Sequence, residues 1–189
     1  MCVMCEMSFI GFAEPQLSMR ESYAEALRRG WSSNTVRDVS ADELVEIARD
    51  PKGFIDARRD DAPIGTITLP NGETVAKLPG RIRWMWDGEF AGAINLRWPA
   101  DGGPLPAHVL GHVGYSVVPW KQGHGYARKA LRHMLSEARD VGLTRLEITT
   151  DAGNVASQKV VLANGGRLER TFRSDHWGDQ LRHLYVIDL

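Results

Sequence analysis

Cysteine is nearly absent from this chain of 189 residues, occurring only as Cys2 and Cys5. A disulfide framework is therefore excluded for the body of the fold. The C-x-x-C spacing suits a redox pair or half a zinc site. Tetrahedral zinc wants two further ligands, and no second close Cys/His pair follows. Reduced thiols and no metal are expected. Long apolar runs are missing too, so no segment reads as a bilayer span. No charged-then-apolar leader pattern precedes the first polar helix, and the cytoplasm is the expected compartment. An excess of one charge is also lacking: 23 basic against 24 acidic residues leave a formal net charge of −1. Such a chain has no bulk field for nucleic acid or an anionic membrane. Internal repeats and low-complexity tracts are absent. What is present fits a soluble globule, expected as a tail over 1–14 and one domain over 15–189.

The most informative stretch runs from Gly111 to Thr150. Val113, Tyr115 and Val117 alternate with His112, Gly114 and Ser116, which is strand periodicity. Pro119 cannot donate to a ladder, so the strand ends near it. Lys121, Gln122, Gly123, His124 and Gly125 follow. Then Ala127, Ala130, Leu131, Met134, Leu135, Ala138 and Val141 fall on one face of a helix that Gly142 stops. Leu146 and Ile148 open the next strand. A helix start presents unpaired N–H groups and partial positive charge, hence attracts anions. Glycines there keep Cβ atoms out of the way, and Lys121, Arg128 and Lys129 add mobile positive charge. A pyrophosphate cradle is one reading; a plain turn and cap is the other.

Two familiar phosphate loops do not match. The dinucleotide fingerprint needs a third small residue where Arg128 stands, and the P-loop Lys-Ser/Thr pair is missing. The residues instead match Gln-x-x-Gly-x-Ala, as Gln122, Gly125 and Ala127, after a strand ending Val117-Val118-Pro119. Asn154, Ser157 and the stop Asn164-Gly165-Gly166 follow at fixed intervals. The combination resembles the GNAT-type N-acetyltransferase superfamily over about residues 81–189, more loosely from 15. Within it, the chain is similar to a bacterial group of undefined substrate that shares an H-x-G-Y-S-V-x-P strand.

That resemblance implies an α+β fold: a mostly antiparallel mixed sheet, splayed at a cofactor cleft and flanked by helices. It implies acetyl-CoA as co-substrate, held by Val117, Val118, Lys121, Gln122, Gly123, His124, Gly125, Tyr126, Ala127 and Arg128. Asn154 would hold the pantetheine arm, beside Ser157, although Asn154 is equally a plain helix N-cap. A backbone N–H near Val117 would serve the thioester carbonyl. The superfamily's usual tyrosine acid falls here on Val161, which leaves Ser157 or water to protonate the leaving thiolate. His112 is the first choice as base, on the strand where relatives carry Glu; a core-rim histidine is the alternative. His108, Tyr115, His176 and Tyr185 are weaker choices. Substrate contacts are expected from Tyr23, Trp31, Asn95, Arg97, Tyr115 and His176.

The remaining chain carries ordinary signals. Ser18-Met19-Arg20-Glu21 and Ser40-Ala41-Asp42-Glu43 have capping-box form, with Gly30 and Pro51 closing the two helices. Asp50-Pro51-Lys52-Gly53 reads as a turn. Ile64–Leu69 and Thr74–Leu78 read as a hairpin around Pro70-Asn71-Gly72. A clearer hairpin turns at Asp87-Gly88. On its return strand Phe90, Gly92, Ile94, Leu96 and Trp98 share one face, and Ala91, Ala93, Asn95 and Arg97 the other. Residues 99–106 form a proline- and glycine-rich loop. Leu168–Phe172 and Leu181–Ile187 close the sheet, and these terminal strands offer an edge for a homodimer. The function expected is acetyl transfer from acetyl-CoA to a primary amine of a small molecule or peptide, by direct attack in a ternary complex. A non-catalytic acyl-CoA-binding regulatory module is the alternative.

Overall fold

The computed structural model describes residues 10–35, 37–59, 61–62, 65–69, 71–174 and 176–189. Cys2 and Cys5 lie outside them, as do Ile64 and Pro70 of the expected first hairpin.

The first half of the chain contains strand β1 (Gly11–Ala13), helices α1 (Arg20–Arg28), α2 (Ser40–Arg49) and α3 (Pro51–Asp56), and strands β2 (Thr66–Thr68) and β3 (Thr74–Ala76). Strands β4 (Gly80–Trp86), β5 (Phe90–Arg97) and β6 (Val113–Val117) follow, then helix α4 (Tyr126–Asp140) and strand β7 (Arg145–Asp151). Helix α5 (Val155–Leu162) and strands β8 (Arg167–Phe172) and β9 (Arg182–Asp188) complete it. Among the described residues no helix is long and apolar enough to cross a membrane.

Two antiparallel sheets meet edge to edge. One has the order β1-β4-β5-β6 and the other β7-β9-β8. Among the described residues the only bridge between them is Gly111 to Ile148, so the edges of β6 and β7 part beyond it. This is the splay that the family resemblance implies. Helix α4 packs Ala130, Leu131, Met134 and Ala138, all fully buried, on one side of the sheets with Ile94, Leu96, Leu146 and Ile148. Helices α1 to α3 cover the other side of the first sheet through Tyr23, Leu27, Ile47, Phe54 and Ile55, with Trp31 just after α1, against Trp84, Phe90 and Val118.

Several expectations are corrected. The stretch expected as a tail contributes β1, paired with Trp84–Trp86, because that edge of β4 is otherwise unpaired. Neither capping box closes. A single-turn 3-10 helix, Leu17–Met19, leads into α1, and α2 begins at Ser40 with Asp38 accepting its N–H at 2.9 Å. Glu43 cannot reach back because its carboxylate is drawn inward to Tyr23, Ser33 and Arg58. Asp50-Pro51 is not merely a turn: Asp50 caps Gly53 N–H, and Pro51 takes the first position of α3, where its missing N–H costs nothing. Phe90 does not share a face with Ile94. Trp86 faces Phe90 while Met85 faces Gly92, so Ala91 is an extra residue that flips the alternation.

Candidate active site

The loop from Val117 to Tyr126 turns twice in the left-handed region, at Gly123 (φ 81°) and Gly125 (φ 78°). Only glycine takes those conformations cheaply. A Cβ at either would meet no protein atom, so backbone conformation, not crowding by the protein, requires glycine. The turns aim successive main-chain N–H groups outward. From Gly123 to Arg128 none has an acceptor among the described residues; the first N–H of α4 that bonds is Lys129, to the Gly125 carbonyl at 3.1 Å. Ala127 lies in that first turn, and Arg128 and Lys129 are exposed on it with no ion-pair partner among the described residues. This site suits a diphosphate: donors in sequence, a helix start and two cations.

Other loop side chains are committed elsewhere. Lys121, expected at the phosphates, is turned away and paired with Asp87 at 2.6 Å and Glu89 at 2.9 Å. Tyr126 donates to the other Asp87 oxygen. Asp87 thus pins both ends of the loop to the β4–β5 turn, a role that a turn-forming Asp-Gly pair does not advertise in sequence. Burial raises the Asp87 pKa, but the bonds from Lys121 and Tyr126 outweigh it and hold the carboxyl below its ordinary range. The same bond, with burial and the charges of Asp87 and Glu89, pushes Tyr126 up to about 12. Gln122 bonds the Val117 carbonyl at 3.2 Å, and His124 Nδ1 lies 2.8 Å from the Gln122 carbonyl. Both shape the loop.

At the splay, Val118 N–H bonds the Ala91 carbonyl at 3.0 Å. Alternate residues of an antiparallel edge strand send N–H groups in opposite directions, so Val117 N–H points away from β5, into the gap. Across the gap Asn154 caps α5, its Oδ1 accepting Ser157 N–H at 3.0 Å. The capping reading of Asn154 is thus observed; its Nδ2 stays available. Tyr115, expected at the substrate, lies on the α4 side instead. Its hydroxyl is 2.7 Å from Ser157 Oγ and donates to the Ser157 carbonyl at 3.2 Å. Burial pushes the phenol up to about 12, against a smaller lowering by the Ser157 bond. Val161, at the usual tyrosine position, is fully buried and has no access to the gap.

The opposite face of β6 carries Gly114 and Ser116. Trp31 donates its indole N–H to Ser116 Oγ at 2.9 Å and is 3% exposed, so it walls this face from beneath. Asn95 Oδ1 accepts from Gly114 N–H at 3.0 Å and from Arg97 Nη2 at 3.2 Å. Tyr23 is corrected from substrate contact to core. It is 1% exposed, stacked on Trp84, and its hydroxyl is donated to Glu43 at 2.6 Å. Burial, then the Glu43 charge, raises its pKa far above the ordinary phenol range. His176 meets His108 edge to face at 6.3 Å, where Trp177 ties the two loops by donating to the His108 carbonyl.

His112 is corrected as well. Its Nδ1 accepts the Glu147 N–H at 3.0 Å, which fixes the proton on Nε2 and leaves no basic lone pair. Burial, reinforced by the charges of Arg97 and Arg145, lowers its pKa to about 4. It is a neutral brace between the sheets. His112 also borders a cavity of about 340 Å³ lined by Trp98, Leu105, Val141 and Arg145 among others.

A family profile described as Acetyltransferase (GNAT) domain matches residues 40–167. No curated protein matches the chain significantly. Among solved structures, RimJ of Mycobacterium smegmatis in complex with a CoA disulfide is 20% identical, with 95% of this chain and 81% of that one covered at TM-score 0.64. The microcin C7 self-immunity acetyltransferase MccE, in complex with acetyl-CoA and AMP, is 14% identical over 95% and 92%, at 0.58. A GNAT-family acetyltransferase from Bacillus anthracis is 15% identical over 95% and 94%, at 0.59.

Proposed function

The chain belongs to the GNAT acetyltransferase family, and on that premise we propose that it transfers an acetyl group from acetyl-CoA to a primary amine of a small molecule or peptide, by direct attack in a ternary complex. The observation that carries the reading is the run of N–H groups from Gly123 to Arg128, left without acceptors among the described residues in a loop that turns at two left-handed glycines. These groups, with Arg128 and Lys129, would hold the diphosphate; Val117 and Val118 would border the pantetheine arm, with Asn154 Nδ2 opposite. Acetyl-CoA supplies the activated acyl group. The coenzymes bound in MccE and RimJ support the same choice.

The protein's own contribution is orientation and proton control. Val117 N–H points into the gap and offers a hydrogen bond to the oxygen on which negative charge develops. Ser157 Oγ stands ready to give a proton to the departing sulfur and to be reprotonated by Tyr115, the two oxygens being 2.7 Å apart. The phenol recovers its proton from solvent, which takes up the one the amine releases. A phenol with a pKa of about 12 stays protonated through the physiological range, as a donor must. With the His112 lone pair engaged, the amine proton leaves to solvent. The test is acetyl-CoA-dependent thiol release and a mass gain on an amine panel. Tyr115→Phe is expected to lower kcat by roughly 10²-fold while acetyl-CoA Kd is kept. An unchanged kcat removes the relay; no transfer to any amine removes the transferase reading.

A further inference from the structure

Among the described residues the inward-lying arginines are paired with a carboxylate, with one exception. On β4, Arg81 reaches Asp61 at 2.7 Å and Arg83 reaches Glu137 at 2.7 Å. On β9, Arg182 lies 3.5 Å from Asp151. Arg97 has no carboxylate partner among the described residues. Among those residues its guanidinium makes one hydrogen bond, from Nη2 to Asn95 Oδ1 at 3.2 Å, although it carries five donors. Burial alone shifts it, lowering its pKa with no acid to counter the effect, yet the residue keeps part of its surface open. An unpaired cation at depth opposes folding, so a partner that arrives from outside is the economical explanation.

The location says which partner. The guanidinium lies against Gly114, where an added Cβ would stand 3.1 Å from Arg97 Nη2 and 3.0 Å from Asn95 Oδ1. Gly114 therefore makes room for a flat cation on β6. Asn95 fixes that cation while also holding the Gly114 N–H. Strand alternation puts Gly114 on the face of Ser116 and Trp31, opposite Tyr115 and Ser157. The amine acceptor must approach the gap from a side other than the coenzyme's, and this face provides one. Three residues on from Gly114, Val117 aims its N–H into the gap. At about 3.3 Å per residue the two points are roughly 10 Å apart. Contacts of about 3 Å at each end leave on the order of 4–6 Å between a bound anion and the reacting nitrogen.

We propose that Arg97 is the anion-recognition residue of the acceptor site, and that the amine acetylated here carries a carboxylate a few bonds from its nitrogen. The proposal rests on the acetyltransferase reading above. An ω-amino acid and a peptide whose second residue is acidic present the same chemistry at this span.

The experiment compares 5-aminopentanoate with 5-aminopentanamide, and a Ser-Glu with a Ser-Gln peptide N-terminus, as acceptors by thiol release. For at least one pair the wild-type protein should favour the acid by tenfold or more in kcat/KM; the pair that shows it identifies the source. Arg97→Met should erase the preference through KM while acetyl-CoA Kd is kept, and Arg97→Lys should restore part of it. Because an unpaired buried charge is removed, Arg97→Met should melt no lower than wild type. Glutarate, which has no amine, should raise the Tm of the wild type and not of Arg97→Met. Equal use of acid and amide, a preference that survives in Arg97→Met, or no glutarate shift in the wild type overturns the proposal. If glutarate shifts the Tm through Arg97 but no amine releases thiol, the transferase reading falls and the anion site stands.

Discussion

The imidazole of His112 shows how one hydrogen bond decides a residue's chemistry. Its position beside the expected thioester is legible in sequence, but its partner, the Glu147 N–H, arrives from 35 residues away. That bond needs neutral imidazole. With a folded pKa of about 4 against an ordinary 6.5, the group contributes stability that is complete above pH 6.5 and is lost as pH falls toward 4. The loss approaches about 1.4 kcal/mol per pH unit across that window. Urea melts at pH 7 and pH 5 should therefore show a large drop in stability for wild type and a smaller one for His112→Asn; equal drops in both would contradict the brace assignment. Tyr115 teaches the complementary lesson. Alternation with Val113 and Val117 already puts it on the α4 face, whereas its meeting with Ser157 depends on where α5 lies across the gap. In the proposed mechanism the phenol that α5 lacks at Val161 comes from β6 instead.

The element that shapes the cradle from outside is the β4–β5 turn. Asp87-Gly88 is readable as a tight turn, and the hairpin follows from it. Nothing local reveals that Asp87 also holds Lys121 and Tyr126, because those contacts span 34 and 39 residues. The Lys121 and Asp87 side chains are only 13% and 10% exposed, so their pair is shielded from water and salt. Asp87→Asn should cost about 2 kcal/mol or more in denaturant melts. It should also raise acetyl-CoA Kd in calorimetric titration, since the loop loses its anchor at both ends. Lost stability with unchanged Kd would make the tether purely structural. The bulge at Ala91-Gly92 is equally silent in sequence: strict alternation puts Phe90 beside Ile94, and only the pairing count reveals the extra residue. Gly92 (φ 147°) accepts that geometry, where a Cβ would stand 2.3 Å from the Ser116 carbonyl oxygen.

Across the whole molecule, the strand, glycine loop, long helix and strand from Val113 to Asp151 are the part that sequence periodicity and turn chemistry define best. They also dictate the site, because β6 and β7 must lie on either side of whatever the loop binds. Less legible is that the sheet is two sheets, sharing one bridge at Gly111 and Ile148. Backbone N–H groups on facing edges have no sequence signature, and whether they pair or part depends on the packing of α4 and α5. The proposed acceptor face is the least legible part, since Tyr23 and Trp31 differ in surroundings only through what Glu43 and Ser116 offer them. The central claim is that the main-chain N–H groups of one loop grip the coenzyme diphosphate. Its most direct test is an amide NMR titration of the protein with acetyl-CoA. Saturable shifts concentrated at Gly123 to Arg128 and at Val117 are the predicted result; binding that leaves those amides unmoved would contradict the account.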